Sequence, residues 1–336
     1  MRDVAARAGV SLKTVSRVMN GEAGVSDLLV GKVRAAAEEL NFQLNAGARN
    51  LRRSDGRTGT LGLLLENVAN PFSSAVHRAV EDVARRRGVA VLAGSLDETP
   101  QRERELVATF TSRRVDGLVL MPAGADHAYL VPEQRAGTAL VFVDRAPGRL
   151  DADVVLTDNR EGTTVGVAHL LDRGHERIGF LGDLARIATA TERYDGYVEA
   201  LRAAGRPVSA DLVARDAATV EAADAAATDM LTRPDAPTAL FTAQNLVTIG
   251  AVKALRRLGR QHEVALVGFD DFMLGDLLDP PVTVVAQDPD AIGRVAAEQL
   301  FRRIDGDTGP FTVQVVPTRL IVRGSGEIPP LRQVAS

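Results

Sequence analysis

Cysteine is absent from the chain, which excludes disulfides, thiolate metal sites and a cysteine nucleophile and leaves little room for redox chemistry. No apolar run is long enough to span a bilayer. The N-terminus reads as a charged amphipathic helix where a signal peptide would carry an apolar segment. A cytoplasmic protein with no membrane partner is expected. The signatures of common enzyme chemistry are missing too: no GxGxxG, no GxxxxGKS or GxxxxGKT phosphate loop, no GxSxG elbow and no paired histidines at helical metal-binding spacing. His77, His127, His169, His175 and His262 are scattered, so no catalytic residue, metal or cofactor is expected. His175, in a Gly-His-Glu-Arg turn between a helix and a strand, reads as structural.

What is present is a 336-residue chain, 45% hydrophobic and 25% charged with mean hydropathy near zero. That is enough for a small module and a large core. The net charge of −4 conceals an asymmetry: residues 1–57 hold ten Lys and Arg against six Asp and Glu, net +4, and the remainder holds 30 against 38, net −8. The basic end is the candidate nucleic-acid end. An excess of this size supports phosphate contacts, although a merely solvated face gives the same count.

Residues 1–20 predict two short helices joined by a tight turn. Val4, Ala5 and Ala8 recur at helical spacing before Gly9, and Ser11 is placed to cap the second helix. On that helix Val15 and Val18 form an inward stripe, while Lys13 and Arg17 project from the other side beside Leu12 and Ser16. Such a helix suits the DNA major groove, where Lys or Arg meets guanine O6 and N7 and apolar groups meet thymine methyls. An ordinary helical hairpin with solvated charges is the alternative. A third helix is expected from Ser26, as cap, through Leu40, with Leu29, Val33, Ala36, Ala37 and Leu40 on its packing side. Residues 45–53 are too few for a stable isolated helix, and 54–59 form a polar connector, so this stretch reads as a hinge.

From Thr60 short apolar runs alternate with helical stretches, the pattern of a parallel sheet covered by helices. The runs are 61–65, 89–92, 117–121, 139–143, 154–156, 178–181, 239–242 and 264–269, with amphipathic helices such as 73–87, 161–173 and 246–258 between them. The Ala-rich stretch 217–227 reads as helix.

At this point the chain resembles the lac repressor (LacI/GalR) family of bacterial transcription regulators. The matching segments are Asp3-Val4-Ala5, Val15-Ser16-Arg17-Val18-Met19-Asn20, and Asn45 with Ala48-Arg49 and Leu51. Asn70-Pro71-Phe72, Arg114-Val115-Asp116-Gly117-Leu118, Val143-Asp144-Arg145, Asp158-Asn159-Arg160-Glu161-Gly162 and Gly174-His175-Glu176-Arg177-Ile178-Gly179-Phe180 follow. Val267-Gly268-Phe269-Asp270-Asp271, Leu278-Asp279-Pro280-Pro281 and Gln287 complete the series. Each is weak alone; the order and spacing are specific.

The resemblance implies an α/β protein with a three-helix helix-turn-helix headpiece (1–44), a hinge helix and linker (45–58), and a periplasmic-binding-protein-like core (59–327) of two Rossmann-like subdomains. The first subdomain is expected at about 59–158 and 287–315, the second at about 159–286 and 316–327, with a tail at 328–336. By position, Leu12, Lys13 and Arg17 would face base edges, Thr14, Ser16 and Asn20 would hold phosphates, and Arg49 and Arg52 would bind phosphate nearby. Leu51 matches the hinge leucine that wedges into the minor groove, packing against the core being the other reading. The cleft between subdomains would hold a small polar effector, with a carbohydrate leading. Phe72 would be its apolar platform, and Asp144, Arg193, Asp270 and Gln287 would hold hydroxyls or a small anionic group. Each has a local alternative: Asp144 and Asp270 as turn caps, Arg193 as a surface partner of Glu192 or Asp195.

Three departures matter. Ala243-Gln244-Asn245 stands where the family has Ala-Asn-Asp, so Gln244 and Asn245 alter the effector wall. Ser73 and Ser74 replace an aromatic after Pro-Phe and should widen that wall or make it more polar. Met1-Arg2-Asp3 omits the Ser or Thr that caps the first helix, which implies fraying or a start further upstream. The expected partners are double-stranded operator DNA, the effector and a second copy of the chain. A homodimer is expected and a tetramer is not, because the end of the chain has no leucine heptad. A solute receptor sharing the bilobal core is the rival class, and an enzyme on that fold a distant third; residues 1–53, which neither requires, discriminate.

Overall fold

The structure, a computed structural model, describes residues 1–19, 22–42 and 57–330. At the N-terminus α1 (Arg2–Ala8), α2 (Leu12–Met19) and α3 (Asp27–Glu39) bury Val4, Ala5, Val15, Val18, Val33, Ala36 and Ala37 against one another. Gly9 ends α1 in the left-handed region, at φ 66°, and its N–H donates back to Ala5 and Ala6. The Ser11 hydroxyl accepts from the Thr14 N–H at 3.1 Å and so caps α2. Met1 sits at the cap position of α1 without a side-chain bond, as its chemistry requires. On α3 the middle of the expected packing stripe, Val33, Ala36 and Ala37, is buried in the cluster and its two ends are not. Leu40 is exposed and Leu29 stays outside the cluster, while Val30 and Val33 face it. Leu29 lies in the first turn of the 13-residue α3 and Leu40 is its C-cap, so both expected positions outside the cluster are at the helix ends.

The first half of the core holds β1 (Thr60–Leu65), α4 (Pro71–Arg86), β2 (Ala90–Ser95), α5 (Pro100–Ser112), β3 (Gly117–Leu120), α6 (Val131–Arg135), β4 (Ala139–Val143) and β5 (Asp153–Thr157). The second half runs from α7 (Asn159–Asp172) through β6 (Ile178–Leu181), α8 (Ala188–Ala203), β7 (Val213–Ala214) and α9 (Val220–Leu231). It continues with β8 (Ala239–Thr242), α10 (Asn245–Arg257), β9 (Ala265–Phe269) and β10 (Thr283–Ala286). The chain then returns with α11 (Pro289–Ile304) and β11 (Val313–Val316) and crosses again to β12 (Arg319–Ile321).

Two six-stranded sheets result, ordered β11-β5-β4-β3-β1-β2 and β12-β10-β9-β8-β6-β7. The pairings are parallel except β10 with β12. Helices cover both faces of each sheet, so central strands such as β1, β3 and β9 read as unbroken apolar runs. Strands β7, β11 and β12 escaped the apolar pattern, being at sheet edges, and the interior strand β10 escaped it as well. The three amphipathic helices begin one or two residues earlier than periodicity suggested, whereas the Ala-rich stretch expected at 217–227 is helix only from Val220, where the Thr219 side chain caps it. α4 starts at Pro71 because the Asn70 side chain accepts from the Phe72 N–H at 3.0 Å and proline suits the first helical position.

The crossings are tied to one another. Thr157 donates to Gln287 at 2.7 Å, and the Thr318 N–H donates to Asp158 at 2.7 Å. Helices α4 and α11 pack closely enough that a Cβ on Gly293 would lie 2.6 Å from the Val76 carbonyl. Both start at the boundary between halves and run about 24 Å along the first half, at 1.5 Å per residue. At their far ends Asp305 accepts from Arg87 at 2.7 Å and from Arg57 at 2.9 Å, and Arg57 also donates to the Ile304 carbonyl. Asp116 accepts from the Thr58 and Gly59 N–H groups at 2.6 and 2.8 Å. The connector therefore joins the core through two carboxylates.

Candidate functional sites

On α2, Leu12 is 48% exposed, Lys13 is exposed, and Thr14, Ser16 and Arg17 are half-buried. The Thr14 hydroxyl lies 2.9 Å from that of Ser11. Arg17 donates to the Ala23 carbonyl at 2.6 Å and lies 3.5 Å from Glu22, so it braces the turn after its own helix. Asn20, Arg49, Leu51 and Arg52 lie outside the described residues, as does most of the expected hinge.

A parallel sheet collects its strand C-termini along one edge, where ligands bind in such folds. Here the edges of the two sheets meet. Asp144 follows β4 and Asp270 follows β9, and each adopts the left-handed region, at φ 71° and 70°. Each donates its own N–H to the neighbouring strand, Asp144 to Val155 and Asp270 to Val285, both at 2.9 Å. Aspartate tolerates this conformation better than most residues, and the turn throws its carboxylate off the strand end.

Arg193, on α8, is 5% exposed. It donates to Asn159 and to the Ala243 carbonyl, both at 2.8 Å, stands 3.7 Å from Asp270 and stacks 3.9 Å over the Phe269 ring. The surface pairing with Glu192 or Asp195 does not occur. Glu192 takes Asn159, and Asp195 takes Arg160. Burial drives the Asp270 pKa upward against the pull of Arg193 and of Gln287, which donates to it at 2.7 Å. Gln244 caps α10, its side-chain oxygen accepting from Leu246 and Val247, while Asn245 donates to Asn70 of the other half at 3.1 Å. The Asn245 side-chain oxygen, fully buried, has no partner. Phe72 lines a cavity of about 400 Å³ with Asp270, Phe272, Met273, Gln287 and Pro289. Ser73 does not make the polar wall expected of it. It is fully buried against Met121, and Ser74 bonds the Val68 carbonyl.

Other cleft residues were not assigned to the site from the sequence: Glu66, Glu98, Asp183 and Arg186, and Asn70, Arg145 and Asn159, which stood only within the matching segments. Arg145 donates to both Glu98 oxygens at 2.7 and 2.9 Å, to Asp144 at 3.1 Å and to the Pro122 carbonyl at 3.0 Å. Burial pulls its pKa down, but Asp144 and Glu98 outweigh this and raise it. Arg186, of the second half, reaches Glu98 of the first at 3.7 Å. Glu66 accepts from Asn70 at 3.1 Å, and burial, reinforced by Glu98, Asp183 and Asp144 and opposed by Arg145, pushes its pKa up to about 7. Burial raises Asp183 as well. The available signal was a carboxylate directly after a buried apolar strand, as Glu66 follows β1. Among the described residues no three His, Asp or Glu side chains converge as a metal site, and no helix is long and apolar enough to cross a membrane.

The raised pKa makes ionised Glu66 a cost to the fold. Below its unfolded value, about 4.3, both states hold the proton and no penalty exists. The penalty grows as pH rises through the folded value of about 7 and is constant above it. Glu66→Gln should therefore raise unfolding free energy by on the order of 2 kcal/mol near pH 8, after discounting for partial solvent screening, and by nothing near pH 4. Urea unfolding at the two pH values checks this, and an equal effect at both would refute it.

Comparison with known proteins accords with this arrangement. Residues 1–45 match the family model of bacterial regulatory proteins, lacI family, and residues 167–326 match a periplasmic binding protein-like domain. The ribose operon repressor of Escherichia coli (strain K12) is 32% identical over 97% of this chain and 99% of its own. The transcriptional regulator CelR in complex with cellobiose is 30% identical, covering 96% of this chain and 98% of that one, with a TM-score of 0.70. The lac repressor dimer bound to operator and the anti-inducer ONPF is 25% identical over 96% of this chain and 98% of that one, with a TM-score of 0.83. With its helix-turn-helix, its bilobal core and repressors as relatives, the chain belongs to the LacI family and is a DNA-binding transcriptional regulator with an effector-binding domain.

Proposed function

We propose that this regulator is a repressor that binds a pseudo-palindromic operator as a homodimer and is controlled by a sugar or sugar derivative in the cleft. The observation that carries the reading is α2. Its valines are buried, and Leu12 and Lys13 are left outward on the face that enters a major groove. Leu12, Lys13 and Arg17 read bases, Thr14, Ser16 and Asn20 hold phosphates, Arg49 and Arg52 bind phosphate, and Leu51 wedges the minor groove. A dimer is supported by the related lac repressor and by the loop after β9, which leaves Met273, Leu274 and Leu277 exposed, Met273 by 82%. The effector class is supported by relatives whose names carry ribose and cellobiose, and by a cleft of carboxylates and amides suited to hydroxyl groups.

Coupling between the sites follows from α4 and α11. Both begin at the cleft cavity, at Phe72 and Pro289, and both end at Asp305, which holds Arg57 where the connector enters the core. Close packing at Gly293 makes the pair move as one body. A ligand that draws Phe72 and Gln287 together shifts the anchor of the connector, and by linkage operator DNA changes effector affinity by the same factor.

Three outcomes are expected. In sedimentation at low micromolar concentration the protein runs as a dimer, and a tetramer or monomer would refute that element. On an operator selected from random DNA, Arg17→Ala costs about 1–3 kcal/mol and relaxes preference at one position. A uniform loss across sequences marks Arg17 as a phosphate contact or a turn brace instead. Asp305→Asn leaves effector affinity within about twofold but shrinks several-fold the factor by which effector changes operator affinity, typically about 5–150-fold. Unchanged coupling would remove the clasp from the mechanism.

A further inference from the structure

In the cleft, Glu66, Glu98, Asp144, Asp183 and Asp270 lie within electrostatic reach of one another or of the same arginines. The facing cations are Arg145, Arg193 and, at the rim, Arg186. Their donors are largely committed. Arg145 serves Glu98, Asp144 and a carbonyl; Arg193 serves Asn159, a carbonyl and Asp270.

The acceptors are not. Among the described residues neither Glu66 nor Asp183 has a cation within salt-bridge distance. Asp183 bonds only the N–H of its neighbour Leu184, and Glu66 only the Asn70 amide. An independent sign of the same deficit comes from the opposite half. The Asn245 side-chain oxygen is fully buried without a donor, on an amide whose nitrogen bonds Asn70, the residue that also bonds Glu66. A buried unpaired acceptor is costly, and here the unfilled groups on both sides of the boundary are acceptors, with negative charge in excess.

We infer that the ligand of this cleft carries a protonated amine, as an amino sugar or a similar small hydroxylated amine does, and that Glu66 and Asp183 select it. The inference rests on the reading of the cleft as the effector site. An ammonium supplies three donors and the missing charge, whereas a phosphorylated or carboxylated ligand meets carboxylates whose inner guanidiniums are committed, with only Arg186 open at the rim. When the amine binds it favours ionised Glu66, and a proton held there passes to solvent. The selectivity therefore grows as pH rises towards the Glu66 value of about 7, with Glu98, Asp144, Asp183 and Arg145 facing that carboxylate, and falls once the amine itself loses its proton.

The test is calorimetric titration of the full chain near pH 7 with matched pairs: D-glucosamine and D-glucose, D-galactosamine and D-galactose, D-mannosamine and D-mannose. Glucose 6-phosphate serves as the anionic probe. In at least one pair the amine should bind about tenfold or more tighter, with the phosphate weaker than glucose. Glu66→Gln with Asp183→Asn should erase the amine preference, bringing the affinities of each amine and its matched neutral sugar to within about threefold of one another. Neutral sugars binding as tightly as their amines in every pair would overturn the inference and leave the effector cleft standing, as would a preference for the phosphate. Binding by none of the probes would overturn it together with the sugar-effector reading. An amine preference that survives the double variant would remove Glu66 and Asp183 as its source.

Discussion

The core is organised around the burial of Arg193. A guanidinium withdrawn from water must have its N–H groups filled and its charge answered, or the fold loses several kcal/mol. Its partners come from separate places: Asn159 from the start of α7, the Ala243 carbonyl from the end of β8, and Asp270 and Phe269 from the end of β9. Satisfying one side chain thus aligns these elements of the second half. Asp270 passes the constraint on through Gln287 to Thr157, the last residue of β5. One buried charge ties the arginine's own half to the point where the chain crosses over.

That chain of contacts explains what the sequence made legible. Val15 and Val18 betray α2 because their spacing is a local property, and β1, β3 and β9 stand out because strands covered on both faces have no reason to alternate. Asp144, Arg193, Asp270 and Gln287 were recognised through motifs, and the structure brings them together at the sheet edges. Glu66 and Asp183 were invisible because only the facing of two sheets makes neighbours of residues over a hundred positions apart. Gln244 shows a different limit. Its amide resembles a ligand group, yet two N–H groups of α10 lie nearer and claim its oxygen. Leu29 is in phase with Val33, Ala36 and Ala37 yet stays outside the cluster because it sits in the first turn of α3, a limit that periodicity does not show.

The two halves also repeat a single backbone solution. Asp144 and Asp270 each leave a strand with positive φ and return an N–H to the adjacent strand. The strain is small for aspartate, and the hydrogen bond fixes it. A carboxylate is thereby presented from each sheet without a flexible loop, and its orientation comes from the sheet itself.

Among the described residues, two contacts between the halves are of opposite physical character. Inside, Asn245 and Asn70 join by a neutral amide bond away from water; at the rim, Arg186 faces Glu98 at 3.7 Å with the arginine more than half exposed. Added salt screens the second and scarcely touches the first. Ionic strength thus acts on the mouth of the cleft alone, loosening the entrance while the inner seam keeps the halves in register. The speed of entry and the tightness of holding are left under separate control.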